Sequence, residues 1–219
     1  MKLKGTEIMK QLLFLLGCVV LLSALAGCQS PAANNSGVEV FVKDGGEFPL
    51  FLAGTWEANK NSDLNHWRFV FEPNGAISSA VVPLGEVEVR PNQTTEAKGP
   101  KGEPGFFEAG NFRVYYNPQG REFSVNIKIK EFYLERVLEW NAILKGSWEY
   151  FIVGDVSEDG KTWEGGVFSS PDIVLLVPDP NSPEDKSKFK ETAKAHIDFG
   201  DEEEEHLIFT KVPDVNAGK

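Results

Sequence analysis

Few side chains in this 219-residue sequence are of kinds that do covalent chemistry, and their spacing narrows them further. Three histidines, His66, His196 and His206, lack the short intervals that gather zinc ligands. No Gly-x-Ser-x-Gly elbow and no phosphate-binding Gly loop occurs. Asp201-Glu202-Glu203-Glu204-Glu205-His206 offers the carboxylate oxygens that a hard cation such as calcium takes, but not the alternating ligands and central Gly of a dedicated loop. Mutual repulsion makes such a run a solvated turn. The 33 acidic residues are too many for any two to stand out as a glycosidase pair. Two thiols remain. Cys18 lies inside an uncharged apolar stretch, and Cys28 follows Leu25-Ala26-Gly27, the small residues that end it. The expectation is a protein without catalysis, metal or cofactor.

Residues 1–27 have the make-up of an export leader. Lys2, Lys4 and Lys10 make its start basic, Leu12–Leu22 is almost wholly apolar, and the run is shorter than the roughly 20 residues of a membrane-spanning helix. Met9-Lys10 offers a second start that would make a compact leader alone. Leu25-Ala26-Gly27-Cys28 resembles the lipobox of bacterial lipoproteins. That resemblance implies diacylglyceryl transfer to the Cys28 thiol and cleavage between Gly27 and Cys28. Small residues let the chain lie extended at the cut, and only a thiol makes the thioether. Gln29 takes the place where Asp tends to mark inner-membrane retention in such lipoproteins, which implies outer-membrane sorting where the host has two membranes.

Processing would leave Cys28 as the one mature cysteine, with its sulfur acylated, so stability must come from packing rather than a disulfide. Residues 1–27 carry three Lys and one Glu, so their removal takes the formal charge from −11 to −13. Each buried acyl methylene contributes about 0.8 kcal/mol, and two or more chains give durable anchoring. An acidic body is repelled by anionic headgroups and should stand off them. A pI near 4.8 excludes a nucleic-acid partner, which would need a basic face. Residues 28–47 form the acylated N-terminus and tether, small and polar through Ser30–Gly37.

Residues 48–219 must supply the folded body, and their periodicity is that of strands. Phe123, Val125, Ile127 and Ile129 alternate with polar residues. The same pattern runs through Trp67–Phe71, Val87–Val89, Phe112–Tyr116, Trp148–Ile152, Ile197–Phe199 and Leu207–Phe209. Ile173–Val177 is continuously apolar, as in a strand covered on both sides. Glu72-Pro73-Asn74-Gly75, Asn117-Pro118-Gln119-Gly120 and Glu158-Asp159-Gly160 are turns. The count is about ten strands in one antiparallel β domain, either a barrel or a two-layer sandwich. Phe132–Leu144 suits a helix or a strand after a bulge equally. Pro91–Gly105 and Pro178–Lys188 should be irregular.

Gly54-Thr55-Trp56, followed by Trp67-Arg68-Phe69-Val70-Phe71 and a Gly turn, resembles the opening of lipocalin-like barrels. In that family the Trp caps one end and the interior holds a small apolar ligand. No Arg follows Arg136 to pack against the Trp from a late strand, where lipocalins commonly place one. Gly-Thr-Trp-Glu recurs as Gly146-Ser147-Trp148-Glu149, without a longer alignment. Taken together, the residues point to an exported envelope protein with a non-catalytic binding role. Its partner would be a small apolar or amphipathic molecule, with docking of another envelope protein or carbohydrate recognition through Trp as alternatives. The anchor is directly checkable: mass spectrometry of the mature N-terminal peptide is expected to find acyl groups on Cys28, and an unmodified thiol there would refute it.

Overall fold

The computed structural model describes residues 37–58, 66–83, 87–98, 102–137, 141–196 and 205–213. Gly27, Cys28, the rest of the leader, the acidic run through Glu204 and the strand expected at Ile197 and Phe199 lie outside them. The described residues form thirteen strands and no α-helix. In chain order they are β1 (Val38–Val42), β2 (Gly54–Ala58), β3 (Arg68–Phe71), β4 (Ile77–Val82), β5 (Val87–Val89), β6 (Thr94–Lys98) and β7 (Pro104–Ala109). There follow β8 (Phe112–Asn117), β9 (Glu122–Val137), β10 (Ala142–Val156), β11 (Thr162–Val177), β12 (Lys190–His196) and β13 (Glu205–Lys211).

The mainly β class agrees with the alternation, and the departures have local reasons. The body begins earlier than residue 48: Val38, Val40 and Val42 alternate with Glu39 and Phe41, and β1 lies parallel on β8 instead of belonging to the tether. Pro91–Gly105 is not one long loop, because β6 pairs along its whole length with β7, from Thr94↔Glu108 to Lys98↔Pro104. Of Phe132–Leu144, the residues up to Val137 and from Ala142 are extended, at the ends of β9 and β10. Pro178–Lys188 is irregular, with a one-turn 3-10 segment at Lys186–Lys188.

Hydrogen-bonded neighbours follow the order β1-β8-β9-β10-β11-β13-β2-β3-β4-β5, with β7 also on β9, β6 on β7 and β12 on β11. All these ladders are antiparallel except β1 on β8. No ladder joins β5 to β1 among the described residues, so the sheet is open and no closed lipocalin barrel forms. Its strands differ greatly in length. β9, β10 and β11 have 16, 15 and 16 residues, whereas β2 to β5 have 5, 4, 6 and 3.

The first half of β9, the second half of β10 and the first half of β11 face the short strands across an aromatic core. Trp163 lies 4.5 Å from Phe209 and 4.8 Å from Phe123, centroid to centroid, and Phe69 touches both Trp163 and Phe209. Phe71 joins them at 5.3 Å from Phe123. Each such ring removes roughly 150–250 Å² from water, so the space between these strands is filled by side chains. Trp56 is fully buried, and its Nε1–H donates to the Leu52 carbonyl at 2.8 Å, which places it in the core.

Beside Trp163 the β10–β11 hairpin is closed by glycine. Gly154 on β10 pairs with Gly165 on β11, on the face that Trp163 shares. A Cβ on Gly154 would lie 1.9 Å from the Glu164 carbonyl oxygen and 2.4 Å from the Gly165 Cα. Gly120, by contrast, has only ordinary contact, at 3.5 Å from Asn117. Gly154→Ala is therefore expected to cost about 1–3 kcal/mol in urea unfolding, as overpacking does. Gly120→Ala should stay within about 0.5 kcal/mol, as substitutions at unencumbered surface sites do.

Candidate functional site

Beyond the aromatic core the long strands continue without the short wall. Their far halves, with β6, β7 and β12, make a sheet in the order β6-β7-β9-β10-β11-β12. Residues directly opposed in antiparallel ladders share a face. One row across this sheet therefore reads Ala97, Gly105, Leu134, Leu144, Leu175, Ala193. The next reads Thr95, Phe107, Phe132, Gly146, Ile173, Ala195. Neither row contains a charge. The row on the opposite face reads Glu96, Phe106, Tyr133, Lys145, Val174, Lys194.

The uncharged rows are continuous with the core, since Leu134, Leu144, Trp148 and Ile173 pack against it. Phe107 and Phe132 are fully buried and stacked 5.7 Å apart, while Leu134, Leu144, Ile173 and Leu175 are only half-buried. With strands about 4.8 Å apart, six of them make a face roughly 24 Å wide. Glycines keep it smooth. Gly146, at φ +156°, has the Asp172 carbonyl oxygen 2.0 Å from where its Cβ would stand, and a Cβ on Gly105 would meet Leu134 at 2.8 Å.

At the foot of the face, Trp148 stacks on Tyr150 at 5.4 Å, and Trp67 meets the same ring edge-on at 4.9 Å. The indole Nε1–H groups of Trp67 and Trp148 are buried and have no acceptor among the described residues. An unmade hydrogen bond of this kind costs about 1–3 kcal/mol, which an oxygen acceptor brought to it would recover. The site thus combines an apolar wall with two unsatisfied donors at its base.

The opposite face is tied down by polar contacts. The Tyr133 ring stacks on Phe106 at 6.0 Å, and its hydroxyl donates to Glu135 at 2.9 Å. Lys186 pairs with Glu135, and the Asn141 amide donates to the Pro183 carbonyl, so the irregular segment after β11 is fastened to this side. Ile173–Val177, expected to be covered on both sides, is half-buried because neither side of the single layer is fully covered.

Other chemistry-bearing residues are scattered. His66 is half-buried, and His196 ends β12. His206 is 3.8 Å from Glu164 in a polar groove that Asp155 and Ser157 also line. A second groove is lined by Arg113, Asn126, Lys128, Lys130 and Glu149, with Arg113 paired to Glu39 and Asn126 bonded to Glu149. The described residues contain no group of three or more His, Cys, Asp or Glu placed to hold a metal ion, and no helix long and apolar enough to cross a membrane. Trp148, from the recurrence of the Gly-Thr-Trp-Glu motif, does reach the site, whereas Trp56 and Trp163 serve the core. The aliphatic rows are not legible as a site in the sequence, because each strand contributes only one or two of their members. No protein-family model, no curated protein and no solved structure matches the chain.

Burial, then the hydrogen bond and the charge of Glu135, push the Tyr133 phenol up to about 12. A raised folded-state value means stability that is full below pH 10, the unfolded value, and lost as pH climbs towards 12. Glu135→Gln is expected to lower the phenol's midpoint part of the way back, since burial remains. Near-ultraviolet absorbance titration checks this, with Tyr133→Phe identifying the component.

Proposed function

We propose that this is an exported bacterial envelope protein, anchored through lipid on Cys28 and sorted to the outer membrane where the host has two. Its mature domain binds the apolar part of an amphipathic molecule, and it does so without catalysis. The observation that supports this reading is the pair of uncharged rows crossing six strands, half-buried at Leu134, Leu144, Ile173 and Leu175 and continuous with the aromatic core. Wall and foot match the two halves of an amphiphile: aliphatic side chains for a hydrocarbon chain, indole donors for an oxygen near its head. The site differs from a lipocalin's, because the ligand lies against an open face and not inside a closed cavity.

Binding at such a wall is driven chiefly by removal of apolar surface from water, about 25 cal/mol per Å². A charge on the wall must therefore be severe. A photoactivatable long-chain fatty acid, added to the full-chain protein in nanodiscs, is expected to crosslink to peptides bearing Leu144 and Ile173. Leu144→Glu should reduce the yield at saturation of the wild type by about tenfold or more, about 1.4 kcal/mol. Crosslinks spread over the Glu96 and Lys145 face, or a yield indifferent to Leu144→Glu, would overturn the reading and favour a protein partner on the same wall.

A further inference from the structure

Away from the apolar wall, at the opposite end of the long strands, the molecule presents a different surface. Among the described residues four large apolar side chains are exposed: Phe41, Leu50, Phe51 and Ile208. Three of them gather at one end. Phe41 pairs in register with Tyr115, and Phe51 meets Tyr116 edge-on at 6.1 Å, so both lie at the level where β1 and β8 finish. Leu50, next to Phe51, is 73% exposed.

The turn that carries Leu50 and Phe51 is held rigidly. Leu52 is fully buried behind it, with its carbonyl taken by Trp56. The Lys211 ammonium donates to the Phe51 carbonyl at 2.8 Å, and the Ala53 N–H donates to the Leu50 carbonyl at 3.2 Å. Gly160 is at φ +67°, and a Cβ there would touch the Phe51 ring at 2.9 Å. A preorganised apolar pair with a lysine at its base is suited to a lipid–water interface, where apolar tips enter and ammonium groups stay among headgroups.

The chain length permits it. From Gly37, which accepts the Phe112 N–H, β1 runs five residues towards this end, about 17 Å. Cys28 is nine residues before Gly37 in sequence, and nine extended residues reach up to about 30 Å. An acylated Cys28 can thus sit in the same membrane that the tip would touch. We infer that Leu50 and Phe51 insert into the interface of the bilayer holding the protein's own lipid, which orients the body with its apolar wall away from that bilayer. The inference rests on the anchor reading. The charge of the mature chain opposes close approach, but screening confines that repulsion to about 10 Å, so the tip can touch while the rest stands off.

The test uses the acylated full chain in nanodiscs doped with nitroxide-labelled lipid. An environment-sensitive fluorophore is placed at Leu50→Cys or, for comparison, at Thr192→Cys on β12, Cys28 being blocked by its acyl group. The Leu50 label is expected to be quenched severalfold more strongly by the lipid nitroxide than the Thr192 label. Equal quenching at the two positions, in protein whose intact mass shows the acyl groups, overturns the insertion alone. An intact mass without acyl groups overturns the anchor and this inference with it, and so is told apart from the first failure.

Discussion

A sheet's apolar face must be covered along its whole length, and here the two sides of the sheet are unequal. Strands of 15 or 16 residues span about 50 Å, and the strands opposite them, of three to seven residues, span only about 10–23 Å. The aromatic cluster around Trp163 takes up the matched part. Beside Trp163 the Gly154–Gly165 pair lets the β10 and β11 backbones approach where a Cβ on either residue would collide with the opposite strand. What remains of the long strands carries an uncharged face that is fully buried at Phe107 and Phe132 and half open at Leu134, Leu144, Ile173 and Leu175. The partly open apolar face follows from that mismatch in length.

The alternation of Phe123, Val125, Ile127 and Ile129 makes β9 legible, because a half-buried strand writes its two faces into every second residue. β1 carries the same alternation in Val38, Val40 and Val42, but the small, polar residues before it give it the look of a tether. β6 is illegible for a different reason: Thr94-Thr95-Glu96-Ala97-Lys98 has one fully apolar side chain, and it is a strand because β7 pairs with it. The site shows the same limit more sharply. Gly105 and Gly146 look like interruptions in sequence, yet in the ladder they are members of apolar rows where a side chain would collide with a neighbouring strand. Register between six strands is non-local information, and no single segment contains it.

The two apolar surfaces are physically distinct. At the Leu50 turn the exposed residues are few, convex and fixed by backbone hydrogen bonds, so they can enter a fluid interface but cannot enclose anything. On the wall the aliphatic residues are half-buried, laid over a wide face and continuous with the core, so a hydrocarbon chain there gains contact on top of shelter from water. Of the unsatisfied indole donors, Trp67 and Trp148 meet at the foot of the wall, while Trp163 lies in the aromatic core.

A single-layer sheet with an apolar face invites self-association, and the edges of this one oppose it. β12 places Lys190, Glu191 and Lys194 along one border, and β6 places Glu96 and Lys98 along the other. Their exposure makes edge-to-edge pairing expensive, the usual role of charge on a border strand. The outer face adds Lys145 beside Val174 and Lys194, which separates that side's apolar residues from one another. Charge is therefore present on both borders and on the back, and absent from the inner rows alone. If those rows only filled space in the core, nothing would require them to stay uncharged out to Leu175, where the side chain is half open to water. Their continuity past the edge of the core is what favours an apolar occupant over mere packing.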